Sequence, residues 1–402
     1  MSKFSYKTIT KDQKIKEGVI SAFFKFNAKK VLTRDGSMII SISSPKPFFL
    51  QMDLPFMGGF SRSEKIYFFR NLAMMVDSGI SIIEALDVLS EQVKSQKAKK
   101  AILQIAEDIR NGRSLSDAMR KFPNYFPEYI IESVNMGNMA GRLSGTLDRI
   151  ATDLEKDDEL NKKVIGAIAY PLVVIVVMAI VVVTLMFYIL PGISQLFIDL
   201  NAPLPLPTKI LLNSGNFIRS NPFLVPGIIL IIFAFFFFGL KFKKTRYLIH
   251  YLTIKLPIFG GLVKDYNLVL FFRSLESLFK SGVPIVAAVE IAKNTTKSEV
   301  YKKALEPVKP ALLHGISLAD SLTPFLNLFS KQTQKIIMVG EKAGKIEEAF
   351  SRISDYYERS VDYKTRMLTV LIEPVLMIVL GVVVGGLALS IFVPIYNLVN
   401  VL

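Results

Sequence analysis

Three groupings in this 402-residue chain have residue types and spacings that chemistry could use. Gly340-Glu-Lys-Ala-Gly344-Lys345 carries the glycines and lysine of a phosphate-cradling loop. Such a loop needs four residues between its glycines, a Ser or Thr after the lysine to hold magnesium, and a strand leading in. Here three residues separate the glycines, Ile346 follows the lysine, and a helical pattern precedes. Gly137-Asn-Met-Ala-Gly141-Arg142 repeats the spacing with no phosphate-binding character, so all four glycines are read as helix punctuation. The second grouping is acidic: Asp153, Glu155, Asp157, Asp158 and Glu159, just before Lys162 and Lys163. Carboxylates doing acid–base work need a pocket, and nothing else in the chain builds one. The cluster is read as a solvated helix face, with Asp157, Asp158 and Glu159 as a contact for a cytoplasmic partner in the functional alternative. The third is Glu373, the last charged side chain, which adjoins an apolar run. It precedes Pro374 as Tyr170 precedes Pro171. Either it is a headgroup-level residue favoured by a helix N-terminus, or it is a functional carboxylate inside the bilayer.

The inventory excludes much else. There is no cysteine, so disulfides, thiolate metal sites and cysteine nucleophiles are out, and His250 and His314 are the only imidazoles. No cofactor, metal site or catalytic residue is expected. A net charge of +15 could point to nucleic acid, but in a membrane protein it is first a topology signal. The distribution decides: of 49 Lys and Arg, 26 lie in residues 1–167, two in 191–221, 21 in 241–367 and none in 394–402. With 51% hydrophobic and 21% charged residues, water-facing lobes and membrane spans must alternate.

What positions these residues is a long helix written twice. From Gly141 the apolar stripe Leu143, Leu147, Ile150, Leu154 runs into an uncharged segment closed by Pro191. Adding 203 gives Gly344, Ile346, Phe350, Ile353 and Tyr357, then an apolar run closed by Pro394. The register holds over Arg70/Arg273, Gly79/Gly282, Gly112/Gly315, Gly137/Gly340 and Gly141/Gly344 without a gap. Each half therefore predicts a bundle of about six helices, with a capping box at Ser81–Glu84 and a further helix start at Ser114. Arg70 and Arg273 lie within apolar stripes, so each should tie helix-end carbonyls or pair with an acid of its own bundle.

The resulting fold class is an all-α membrane protein with two repeated cytoplasmic six-helix bundles, three transmembrane helices and a small mixed α/β N-terminal module. The module takes residues 1–53, with strands at 4–10 and 38–43 and a helix at 19–32, and 54–61 is a linker. Bundle 1 spans 62–163 and transmembrane helix 1 spans 167–191. An extracytoplasmic loop, 192–221, leads to transmembrane helix 2 at 222–240, which charge bookkeeping requires although Pro222 and Pro226 shorten it. Bundle 2 spans 241–366, transmembrane helix 3 spans 370–394, and 395–402 is an extracytoplasmic tail. The N-terminus carries no signal peptide and is expected in the cytoplasm.

The doubled unit, the approach Lys163-Val-Ile-Gly-Ala-Ile-Ala-Tyr-Pro171, the exit Leu190-Pro191 and the pair Glu373-Pro374 resemble the inner-membrane platform proteins of type IV pilus and type II secretion machines, the PilC/GspF family. That resemblance covers essentially the whole chain. It implies a non-enzyme of the bacterial inner membrane, homo-oligomeric, that links a hexameric cytoplasmic ATPase to pilins or pseudopilins alongside other inner-membrane assembly proteins. It implies no direct nucleic-acid contact. The rival classes are a transporter built on a repeat and an unrelated membrane scaffold; paired ionisable residues inside a span, which would mark a substrate path, are absent from the sequence.

Overall fold

A computed structural model describes residues 2–9, 15–22, 38–43, 59–189, 242–257 and 259–399, with isolated positions between 191 and 227. The chain forms two compact units, Met1–Phe60 with Lys94–Lys99, and Ser61–Val93 with Lys100–Leu402. In the first, β1 (Ser2–Ile9), β2 (Ile15–Ala22) and β3 (Met38–Ser43) make an antiparallel sheet in the order β2-β1-β3. Ser2 stands opposite Ala22 and Ile9 opposite Ile15, and the β1–β3 register shifts between Lys7 and Thr8. Both expected strands form. The helix expected from Val19 does not begin there: Val19–Ala22 continue β2, and residues 23–32 lie outside the described ones. Gly18 and the β-branched Ile15, Val19 and Ile20 favour pairing with β1 over a helical start.

The second unit is helical. Its first half contains α1 (Arg62–Asp77), α2 (Ile82–Gln92), α3 (Gln96–Arg110, from Lys100 on in this unit), α4 (Leu115–Arg120), α5 (Glu128–Met139) and α6 (Leu143–Thr184). A connecting helix, α7 (Lys243–Lys255), precedes the second half. There follow α8 (Phe259–Lys280), α9 (Ile285–Thr295), α10 (Glu299–Leu305), α11 (Val308–Leu313), α12 (Leu318–Ser321), α13 (Lys331–Lys342) and α14 (Ile346–Val399). The halves match element for element, except that Pro307 splits the counterpart of α3 into α10 and α11. The two matching glycines therefore follow helices of different length. Gly112 follows the 15-residue α3, whereas Gly315 follows the six-residue α11, although both are exposed and keep a positive φ.

Local chemistry repeats at the same offset. Ser114 caps α4 by accepting from the Asp117 amide, and Ser317 caps α12 by accepting from the Asp320 amide. The Ser81 hydroxyl caps α2, but the reciprocal half of the expected capping box is not made; the complete box sits at Ser61 and Glu64. Pro284 is the N-cap of α9. Gly141 and Gly344 take positive φ, +65° and +66°, and end α5 and α13 as left-handed caps. Gly137 and Gly340 are not punctuation. They lie inside those helices, where a Cβ would stand 2.4 Å from Thr146 Oγ1 and 2.6 Å from Ala349 Cβ, so the missing side chain lets α5 and α13 cross the next helix closely.

Each half packs around the same aromatic cluster. The rings of Phe68 and Phe69 meet at 5.3 Å and Phe126 closes on both; Phe271, Phe272 and Phe329 do the same in the second half, starting at 5.2 Å. All six are buried. Both long helices then leave the bundles without a break. By length and composition α6 and α14 can cross a membrane, and only 6% of the most apolar window of each is buried, which core helices of a water-soluble protein would not tolerate. At 1.5 Å per residue α6 is about 63 Å long, enough for a stalk and a span. Pro171 and Pro374 lie within these helices, whose neighbouring turns remain helical.

The helix ends differ from those expected at the prolines. A π-helical turn, Leu185–Ile189, follows α6 before Pro191, and α14 runs through Pro394 to Val399. In an apolar run, opening several backbone pairs costs more than the one hydrogen bond a proline removes. The expected middle span, 222–240, falls almost wholly outside the described residues.

Candidate functional site: the seam between the repeats

The two halves meet along a one-sided seam: α8 and α9 of the second half pack on α5 and α6 of the first, and α14 runs beside α6. Arg273 sits at its centre, only 6% exposed, bonded to Asp157 across the seam and to Glu358 of its own half at 2.7 Å. Above it Lys163 pairs with Asp362 at 3.0 Å, and below it Arg149 Nη2 donates to Ser281 Oγ at 3.1 Å. Arg70 repeats only the intramural part. It holds Glu155, the counterpart of Glu358, at 2.9 Å and also Asp148, and stays 41% exposed. Each arginine thus pairs within its own bundle, as the sequence predicted. The bond to Asp157 was not anticipated. Ser360 at the matching position was the sign that Asp157 serves something the halves do not share.

Burial makes the seam electrically tense. It pushes the Asp153 carboxyl up to about 6, with Asp157 nearby adding to the shift and Arg273 opposing it. One Asp153 oxygen is buried without a hydrogen-bond partner. Asp157 is pushed in the same direction by burial, against the pull of Arg273. Beside them lies a cavity of about 200 Å³ lined by Arg62, Lys65, Tyr129, Asp157, Tyr266 and Lys297. Burial, then the neighbouring Arg62 guanidinium, lowers the Lys65 and Lys297 ammonium groups from their ordinary range. In the second half Asp265 replaces Arg62, and its carboxylate accepts from Lys364 Nζ and Ser360 Oγ, both at 2.5 Å.

The expected partner-contact trio is therefore divided. Asp157 is committed to Arg273, Asp158 is buried and paired with Lys162 at 2.7 Å, and Glu159 alone is exposed without an ion pair among the described residues. Where the helices become apolar, Tyr170 is 53% exposed, Pro171 is buried, and Glu373 and Pro374 are exposed. No cation stands within ion-pair distance of Glu373 among the described residues. Gly340 and Gly344 lie in and at the end of α13 and form no phosphate-binding loop. Of the other repeat glycines, Gly79, Gly112, Gly282 and Gly315 all take positive φ at exposed turns after helices, and only Gly282 comes near the seam, where Met136 approaches it. No cluster of three or more acidic or imidazole side chains that could hold a metal occurs among the described residues.

Two tandem helical bundles, each continuous with a membrane-length helix, define a class of membrane-anchored repeat protein whose shared geometry lies in joints and stalks. The family of the type II secretion system (T2SS) protein F matches this chain twice, over residues 68–191 and 271–394, at the 203-residue offset read from the sequence. The chain belongs to that family. It is 32% identical to the type IV pilus assembly protein PilC of Pseudomonas aeruginosa over 83% of this chain and 89% of that one. It is 30% identical to the PilC of Thermus thermophilus over 100% of this chain and 99% of its relative. The type II secretion system protein F of Pseudomonas aeruginosa is 27% identical over 86% and 85%.

Proposed function

We propose that this chain is an inner-membrane platform protein of a type IV pilus or type II secretion machine, coupling a hexameric cytoplasmic ATPase to the assembly of pilins or pseudopilins. The observation that carries the reading is the continuity of each bundle with its apolar helix in a member of the T2SS protein F family. A rigid bundle fused to a spanning helix transmits rotation or tilt across the membrane surface, whereas a loop would dissipate it. No chemical step is assigned to the protein.

In this reading the N-terminus and both bundles are cytoplasmic, three helices cross the membrane, and residues 192–221 and 395–402 are extracytoplasmic, following the Lys/Arg distribution. An ATPase contact through Asp157, Asp158 and Glu159 has only Glu159 free to serve it. Glu373 with Pro374, and Tyr170 with Pro171, mark the level at which a pilin helix would meet the spans. Removing the protein from its host should abolish surface filaments or secretion, and the wild-type chain should restore them. In the same assay Glu373→Gln should reach normal membrane levels yet support filaments poorly. Filaments and secretion that persist without the chain overturn the platform reading; full activity of Glu373→Gln leaves that reading standing and makes Glu373 a headgroup-level residue.

A further inference from the structure

The seam between the halves is head-to-tail, which leaves each half with an unused face. Helices α8 and α9 cover α5 and α6, but the reciprocal packing, α1 and α2 on α13 and α14, is not among the helix packings of the described residues. On the first half the free face exposes Met74, Ile80 and Val88; on the second, Met338 and Val339. The second is a groove of about 750 Å³ between α13 and α14, lined by Lys331, Lys335, Val339, Glu348, Ala349 and Arg352. Its counterpart on the first half is the surface that α8 and α9 already fill.

We propose that this groove receives the α1–α2 corner of a second copy of the same chain, repeating between molecules the contact that joins the halves within one. Three contacts carry over by adding or subtracting 203, while the Arg273–Asp157 pair does not, since it becomes Arg70 and Ser360. Lys163 with Asp362 becomes Arg366 with the second copy's Glu159, a pair that keeps its opposite charges. Arg366 and Glu159 are both exposed, and neither has an ion pair among the described residues. Arg149 donating to Ser281 becomes Arg352 donating to Ser78, with both residues exposed and the Arg352 side chain 77% so. Met136, whose Cε lies 3.6 Å from where a Gly282 Cβ would be, becomes Val339 against Gly79, and Val339 is 66% exposed.

The membrane permits the repetition. Lys163 stands level with Asp362, and one cavity between the apolar segments is lined by Val177 and Val181 from α6 and by Leu380 and Val384 from α14. The matching pairs Val177 and Leu380, and Val181 and Val384, thus stand side by side, and Lys163 meets its partner in the second half within about one turn of its own match, Arg366. The operation relating the halves keeps spans in the bilayer plane, so a second application places the next copy in the same membrane. A head-to-tail contact of this kind closes into a ring or runs on as an open row. It assigns Glu159 a partner other than an ATPase and does not depend on which machine the chain serves.

The absence of native cysteines makes the test direct. Ser78→Cys and Val339→Cys should be made in separately tagged full-length chains, co-expressed, and treated in membranes with a short bis-maleimide. Met136→Cys with Ser281→Cys in one chain, which should link internally, controls for reagent reach. Cross-linked dimers are expected only when both variants are present, and the double variant should give a ladder. Glu159→Lys should reduce the yield several-fold, and adding Arg366→Glu should restore it. Cross-linking of Val339→Cys to itself alone, or no mixed dimer while the control links, overturns the proposal. Loss of ATPase co-purification in Glu159→Lys with cross-linking unchanged also overturns it and returns Glu159 to the ATPase.

Discussion

Arg70 and Arg273 occupy the same repeat position, so replacing each with methionine compares one lesion in two environments. Arg273 is 6% exposed, and its partners Asp157 and Glu358 are 27% and 22% exposed. Without the guanidinium, two carboxylates face each other across a seam that already presses Asp157 toward protonation. Breaking a buried ion pair from one side costs about 3–5 kcal/mol. Around Arg70 the side chains are 41%, 57% and 52% exposed, so solvent screening leaves that lesion under about 1 kcal/mol. For a folding unit of this size 1 kcal/mol moves the midpoint by about 2–4 °C, so Arg273→Met should lower Tm by on the order of 10 °C and Arg70→Met by no more than about 4 °C. Circular dichroism of the full chain in detergent reads both. Adding Asp157→Asn and Glu358→Gln to Arg273→Met should recover most of the loss, because no uncompensated charge is left behind. Equal shifts for the two single variants would refute the claim that Arg273 ties the halves together.

Asp153 gives the seam a pH dependence. Its folded-state pKa, about 6, lies above the ordinary 3.8, so the folded chain holds the proton more tightly and stability is lost as pH rises between about 4 and 6. Asp153→Asn should raise stability at pH 7.5 by up to roughly 3 kcal/mol and flatten that slope; an unchanged melting profile across this range counts against a desolvated carboxylate. Gly137→Val and Gly340→Val should each destabilise the chain by about 1–3 kcal/mol through overpacking, whereas Gly145→Ala, with open space around its Cβ position, should change little in the same melts. Phe69→Ala and Phe272→Ala should each cost about 3–5 kcal/mol, the second somewhat more because Phe272 also meets the Phe350 ring where the first half has Leu147; a negligible loss for either would mean that the halves do not share one core geometry.

The sequence revealed what periodicity and punctuation control. Helix starts at Ser114 and Ser317, left-handed caps at Gly141 and Gly344, and the two apolar helices all follow from local rules that a single chain displays. Arginines in apolar stripes also called for partners, helix-end carbonyls or acids, and acids are what they meet. What stayed hidden depends on contacts between distant positions. The acidic run from Asp153 to Glu159 reads as one charged patch, but a helix turns 100° per residue, which sends Asp157 into the seam and leaves Glu159 outside. Gly137 and Gly340 look like their capping neighbours because sequence cannot distinguish a glycine chosen for φ from one chosen for thinness. The strand at Val19–Ala22 needed the partner strand to reveal it.

The exchange of Arg62 for Asp265 bears on whether the halves are interchangeable. Asp265 is received by Lys364 and Ser360, while the matching residues of the first half are Asn161 and Asp157. A chain built from two first halves would place arginine beside asparagine and aspartate in the second position and leave Lys364's role unfilled. One built from two second halves would lose Arg62 from the cavity and leave Arg273 without Asp157. The halves share one architecture, but each carries charges that answer those of its neighbour. Order along the chain has become information, and a shuffled tandem would fold twice without fitting together once.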